Sequence, residues 1–217
     1  DPASAAGRAD WSAILSATLP YVDIFIPSAE EILLMLRRPV FEQLAAQSKH
    51  SKPLDIITPT MIMELGQALL DMGTKIVGIK IGERGLYLRT ANAATLVQMG
   101  RGGVADVAAW SERELWAPCF ATQVAGTTGS GDATIAGLLM GLLRGMPPIE
   151  TLATACAVGA CSVEAVDALS GLQSWPETAK RMASGWPRLP LALEQSQAGW
   201  CWDDAHEIWL GPMDLHE

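Results

Sequence analysis

An α/β fold built on a mainly parallel sheet is what this sequence predicts, and three observations predict it. Short β-branched runs alternate with amphipathic helical patterns, no low-complexity linker interrupts that alternation, and a glycine-rich turn leads directly into a long apolar helix. In order along the chain, an extended entry gives way to a helix from about Trp11. Tyr21 to Ile26 reads as a strand ending at Pro27, followed by a helix from Ser28 through Leu36. Thr58 can cap the next helix and Pro59 suits its first turn, while Met61, Ile62, Leu65, Leu69 and Leu70 form an apolar stripe before Gly73. Lys75 to Ile81 is a β-branched strand, and Gly85 to Arg89 and Thr95 to Met99 read as further strands around the Asn92 turn. Helices then dominate: residues 130–144 and 148–168, split by Gly145-Met146-Pro147-Pro148, and a third begun by Trp175-Pro176-Glu177. Ligands of such sheets sit at the carboxyl ends of the strands. The segments around Glu31 and Asp132 both follow strand-like runs at that edge.

Composition narrows the function classes. A chain of 217 residues with 49% hydrophobic content can bury a full core. A formal charge of −9 argues against nucleic acid as a partner, because phosphate backbones attract clustered Lys and Arg. The apolar runs are broken by Gly, Arg144 or Glu164 before reaching the ~18 residues of a membrane span, and no secretory signal pattern opens the chain. Together these suggest a cytoplasmic enzyme that uses neither nucleic acid nor membrane. Cys119, Cys156, Cys161 and Cys201 form no C-x-x-C pair and read as reduced thiols. His50, His206 and His216 show no zinc-site spacing. The tail after Leu189 differs in character: Trp200, Trp202 and Trp209 crowd around Asp203, Asp204 and Glu207. It reads as an extension packed on the body or on a neighbouring subunit.

The most informative segment is Gly126-Thr127-Thr128-Gly129-Ser130-Gly131-Asp132, which runs into the apolar helix. Glycines allow a sharp turn and close approach of backbone to a ligand, and the helix start offers unpaired N–H groups with the positive end of a dipole, so an anion such as phosphate is the expected guest. Gly126-x-x-x-x-Gly131 has the glycine spacing of a Walker A loop, but Asp132 stands where that loop requires Lys. A dinucleotide fingerprint fails as well, because Gly129-x-Gly131 is followed three residues later by Thr134. A carboxylate at the same helix start would repel phosphate, so Asp132 is either a proton acceptor or a helix cap.

These residues resemble the D-T-x-G-A-G-D signature of the ribokinase-like (PfkB) carbohydrate kinases, through Thr127, Gly129, Gly131 and Asp132, with Ser130 for the usual Ala and Gly126 for the first Asp. Other landmarks occur in the family's order. Pro27-Ser28-Ala29-Glu30-Glu31 is similar to its P-N-x-x-E segment, Val77 to Gly85 to its strand plus G-x-x-G nucleotide segment, and Ser162 to Trp175 to the loop closing over the adenine and a monovalent cation. The similarity covers most of residues 1–187. It implies a three-layer α/β/α fold over residues 1–188 with the N-terminal part and β lid missing, the Asp1-Pro2-Ala3 opening matching a position after a central strand, and a Trp-rich acidic extension over 189–217.

The resemblance implies transfer of the γ-phosphoryl group of ATP to a sugar hydroxyl with Mg²⁺ as cofactor. In that role Asp132 is the general base, and the amides of Gly129, Ser130 and Gly131 hold the developing charge. Glu31 would orient Mg²⁺ through water; its plain alternative is a first-turn glutamate complementing the dipole. Gly82 and Gly85 would admit the nucleotide or simply make a turn, Thr127 would bond near the triphosphate, and Lys80 and Arg84 would neutralise phosphate or stay solvated. Glu164 and Asp167 read as surface acids. Gly126 removes a carboxylate that supports a monovalent-cation site in many relatives, and Ser28 replaces an Asn that orders the Mg²⁺ water network. The implied partners are a sugar and ATP, with a homodimer as one arrangement. A catalytically silent nucleotide-binding or assembly module and a nucleoside kinase of the same superfamily are the competing readings.

Overall fold

A computed structural model describes residues 4–47, 57–193 and 199–215. His50, His216 and the Asp1-Pro2-Ala3 opening lie outside the described residues. The polypeptide starts with α1 (Trp11–Thr18), capped by the Asp10 carboxylate accepting the Ala13 amide at 3.0 Å. It continues through β1 (Ile24–Phe25), α2 (Ala29–Leu36), α3 (Arg38–Gln47) and α4 (Pro59–Asp71). The last begins as its sequence dictates: Thr58 accepts the Met61 amide at 3.3 Å, Pro59 opens the first turn, and Ile62, Leu65 and Leu69 are buried along one stripe. Next come β2 (Ile76–Lys80), β3 (Leu86–Thr90), the short helices α5 (Ala93–Leu96) and α6 (Val107–Trp110), and β4 (Glu114–Ala117). The carboxyl-terminal half carries α7 (Ser130–Leu143), α8 (Pro148–Ser162) and α9 (Trp175–Ala183), then β5 (Cys201–Asp203) and β6 (Ile208–Leu210).

The strands form one sheet in the order β1-β2-β3-β4-β6-β5. Side chains alternate across it with the period of two that strands impose. Ile76, Leu86, Leu88, Leu115 and Ala117 face a core shared with Leu138 of α7 and Leu152 and Ala155 of α8. Val77, Ile79, Tyr87 and Trp116 face the opposite core with Ile32, Leu33, Ile62, Leu65 and Leu69 from α2 and α4. Three layers, α/β/α, result. Helices α7 and α8 lie unusually close: a Cβ at Gly137 would stand 2.9 Å from the Ala155 Cα, and one at Gly159 would stand 2.3 Å from the Thr134 hydroxyl oxygen.

Three sequence expectations need correction. The sheet is mixed, not mainly parallel: β1 pairs with β2 in parallel, while β2–β3, β3–β4, β4–β6 and β6–β5 are antiparallel. The helices between β1 and β2 form the crossover that a parallel pair needs, whereas Gly82 to Gly85, between β2 and β3, is too short for anything but an antiparallel return. The stretch Thr95 to Met99 is helical rather than a strand, because the Asn92 carboxamide oxygen caps the Thr95 amide at 3.0 Å and the buried Leu96 and Met99 repeat at helical spacing. The helix expected over 148–168 stops at Ser162, and the residues after it form turns.

The Trp-rich tail is woven into this sheet. Strand β6 pairs with β4, and Trp200 meets Tyr87 and Trp116 edge-on, with ring centroids 6.2 and 5.9 Å away. Beneath the pairing, the fully buried Glu114 accepts hydrogen bonds from Tyr87 Oη and Arg89 Nη1, both at 2.8 Å. Asp214 reaches back to the Arg113 guanidinium and the Glu114 amide. Removing one member of a buried ion pair strands the other without compensation. Glu114→Ala should therefore lower unfolding free energy by about 3–5 kcal/mol, read from urea melts, and loosen the tail as well as the sheet; a loss within 0.5 kcal/mol of zero, roughly the level of a surface change, would contradict this role.

Candidate active site

The site assembles at the carboxyl end of β2. Chain direction turns at Pro27, whose carbonyl accepts the Lys80 amide at 3.0 Å, and Ser28 bridges to Lys80 in parallel. This places the amino end of α2 beside the end of β2. Ser28 and Glu31 form a reciprocal capping box: Ser28 Oγ accepts the Glu31 amide at 3.2 Å, and Glu31 Oε2 accepts the Ser28 amide at 2.9 Å. The Ser28 amide, more than any other influence, holds the Glu31 carboxyl below its usual range, with the Ser28 hydroxyl and the Lys80 charge adding to it against partial burial.

The start of α7 arrives at the same place. Gly129 holds a left-handed conformation (φ 79°) directly ahead of the helix, where a Cβ would collide with the Ala168 methyl at 2.5 Å. Ser130 uses both its amide (3.3 Å) and its hydroxyl (2.9 Å) on the Thr127 carbonyl, which tightens the turn. The amides of Gly131 and Asp132 have no acceptor among the described residues, as expected of a first helical turn. A Cβ at Gly131 would stand 3.4 Å from Lys80 Nζ, so the ammonium lies within van der Waals reach of the helix start. Lys80 is half-buried and makes no ion pair among the described residues.

A cavity of about 820 Å³ opens here. It gathers Glu31, Lys80, Gly82, Gly85, Thr127, Ser130 and Gly131 from the sequence-predicted set, and its deeper wall is formed by Cys119, Phe120, Cys156, Gly159 and Ala160. Gly129 and Asp132 flank the lining residues without joining them; the exposed Asp132 carboxylate makes no hydrogen bond or ion pair among the described residues. Gly82 and Gly85 make the expected turn, and they also stand at the cavity. They close the β2–β3 turn at φ 54° and 94°, and they line the cavity. Gly85 is obligatory, since a Cβ there would lie 1.9 Å from the Ala117 carbonyl oxygen. Arg84 turns its guanidinium over the Trp116 ring, 5.2 Å from the centroid.

Sequence reasoning missed several neighbours. The four cysteines are free thiols, and burial pushes Cys119 up to about 11 and Cys156 higher still, so neither cavity thiol is a nucleophile near neutrality. Glu164 is no idle surface acid: Arg181 grips it with two hydrogen bonds, both 2.7 Å. Asp167 is exposed, and hydrogen bonds from the Ser170 hydroxyl and the Ser170 and Leu169 amides hold its carboxyl down to about 2. No local pattern marks the Glu164–Arg181 pair, because its members are separated by a helix junction. Among the described residues, no group of three or more His, Cys, Asp and Glu side chains is gathered for a metal, and no helix is long and apolar enough to cross a membrane.

The sequence pattern of the pfkB family carbohydrate kinases matches residues 8–175. The chain belongs to that family. Its fold is similar to solved structures of a protein described as ribokinase II from E. coli in complex with ATP and Mg²⁺ (20% identity, TM-score 0.54, 79% of this chain and 42% of that one) and of ribokinase from Thermotoga maritima (22%, 0.53, 84% and 48%). A variant of phosphofructokinase-2 from Escherichia coli is similar at 16% identity and TM-score 0.51, over 79% of this chain and 44% of that one. The chain thus spans under half the length of these structures. No curated protein matches it in sequence.

The geometry explains one departure from the family signature. A Cβ at Gly126 would stand 2.8 Å from the Val166 carbonyl oxygen, and the Gly126 amide donates to the Val163 carbonyl at 3.2 Å, so the 163–168 turn occupies the space an aspartate side chain would need. Gly126→Asp, which restores the family residue, should destabilise the protein by about 1–3 kcal/mol in thermal or urea unfolding, the range for forced overpacking; an unchanged or raised melting temperature would contradict this packing.

Proposed function

We propose that this chain is the nucleotide-binding and catalytic portion of an ATP-dependent phosphotransferase that moves the γ-phosphoryl group of MgATP to a sugar hydroxyl. Asp132 is its general base, and the first-turn backbone of α7 from Gly129 to Gly131 is its anion hole. The observation that carries this reading is the unpartnered Asp132 carboxylate, on the same helical turn as open amides and next to the cavity. The alternative task for that aspartate, capping α7, is not in use: Gly129 occupies the cap position and no side-chain cap bond is made there. An acid spared from structural duty beside the open first-turn amides of Gly131 and Asp132 is suited to accept a hydroxyl proton as charge develops on the transferring oxygens.

The donor set fits a metal-carrying nucleotide better than a bare anion. Glu30, Glu31 and Glu83 line the cavity against a single lysine, Lys80. A bare polyphosphate would meet more negative than positive charge there, whereas one carrying a divalent cation would not. Bound Mg²⁺ supplies charge neutralisation on the phosphate oxygens. Glu31 Oε2 is committed to the capping box, which leaves Oε1 for a water of the metal's hydration shell, in keeping with the few direct carboxylates Mg²⁺ takes. Lys80 and the Gly131 amide would orient phosphate, Thr127 would bond close by, and Gly82 and Gly85 admit the rest of the nucleotide along the turn.

With the full-length natural protein, MgATP and a panel of sugars and nucleosides, at least one acceptor should give ADP release. Asp132→Asn should lower kcat by about 10²–10⁴-fold with ATP affinity kept. Full activity in that variant would overturn the base assignment; ATP binding without turnover on any acceptor would favour the silent module, and turnover on nucleosides alone the nucleoside kinase.

A further inference from the structure

The segment Ala121–Ala125 is the outer wall of the nucleotide cavity, and it has no regular secondary structure. Thr122 and Val124 line that cavity and also a second one of about 710 Å³. Such a wall has few ways to hold its place. Its ends are tied by backbone: the Ala121 amide donates to the Pro187 carbonyl and the Ala125 amide to the Val163 carbonyl, each at 2.8 Å. Gln123 and Val124 make no hydrogen bond among the described residues. The middle is held by one side chain, the Thr122 hydroxyl, which donates to Glu164 Oε1.

Glu164 can act as an anchor only because Arg181 fixes it from behind. Arg181 Nη1 donates to Oε2 and Nη2 to Oε1, a two-pronged geometry that leaves the carboxylate little rotational freedom. The guanidinium in turn lies flat over Trp186, 3.6 Å from the ring centroid. Trp186 donates its indole N–H to the Ala121 carbonyl at 2.7 Å and stacks on Phe120 with centroids 4.5 Å apart. One arginine therefore connects the end of α9, the turn after α8, and the Ala121 end and the middle of the wall.

We propose that the Arg181–Glu164 pair is a positioning clamp, which acts through Thr122 and Trp186 to set the place of the Ala121–Ala125 wall and so the grip of the cavity on nucleotide. The clamp rests on the nucleotide reading of that cavity. Because the pair is partly exposed, its loss leaves the global fold in place. Neither residue touches the reacting groups, so the transfer step is spared once nucleotide is bound.

The test uses Arg181→Met, Glu164→Gln and the double variant of the full-length natural protein, with ATP affinity from calorimetry, kcat at saturating ATP, melting temperature, and hydrogen exchange at the Ala121 and Ala125 amides. The clamp predicts an ATP Kd raised roughly 3–10-fold in each single variant, with no further loss in the double, because residues acting as one unit are not additive. It also predicts kcat within about twofold of wild type and exchange at the two amides faster by about tenfold without a matching fall in melting temperature. Unchanged Kd, multiplicative losses in the double variant, or a fall in kcat at unchanged Kd would overturn it. If the wild-type protein binds no ATP, the nucleotide reading falls by itself. Exchange then decides whether the pair holds the wall: unaltered protection at Ala121 and Ala125 in Glu164→Gln, which keeps the shape of the side chain, would refute the clamp.

Discussion

Everything in the candidate site depends on the ammonium of Lys80 lying between the amino ends of two helices. The Lys80 amide is fixed to the Pro27 carbonyl, which brings the Ser28 cap of α2 alongside, and Nζ lies close to Gly131 at the start of α7. The positive ends of the two helices and the Lys80 ammonium together favour phosphate oxygens at this one spot, while Glu31 moderates their charge. Small displacements of β2 relative to either helix would therefore change the electrostatics of the whole cavity.

The sheet supplies the rigidity this arrangement needs. Strand β2 lies inside the sheet, flanked by β1 and β3, and each of its faces is sealed by a separate apolar cluster. The tail contributes to the same frame rather than standing apart from it. Its strands continue the sheet beyond β4, its Trp200 closes a triad of edge-on rings with Tyr87 and Trp116, and Asp214 is tied to β4. The buried Glu114–Arg89 pair lies where tail and sheet meet, and removing either partner would leave the other buried without compensation.

Much of this was legible because it is local. Thr58-Pro59 announces α4, Ser28 announces the start of α2, and the glycine-rich turn at Gly129 to Gly131 announces the start of α7; each signal needs only neighbours in sequence. The mixed sheet was not legible, since strand direction depends on which strands pair, and β6 comes from nearly a hundred residues after β4. Thr95 and Val97 misled because β-branched residues favour strands unless a cap such as Asn92 intervenes. Glu164 and Arg181 were invisible as a pair for the same reason as the sheet: their contact is tertiary, and each residue alone looks like an ordinary surface charge.

The central claim is that the cavity holds the phosphates of a nucleotide against Lys80 and the start of α7, and it is tested most directly by comparing ATP and adenosine binding to the full-length wild-type protein and to Lys80→Met in the presence of Mg²⁺. Charged hydrogen bonds of this kind contribute about 1.5–3 kcal/mol. The account predicts that ATP affinity falls by roughly 10–100-fold while adenosine affinity stays as it was. Equal losses for both ligands, or none for ATP, would contradict it.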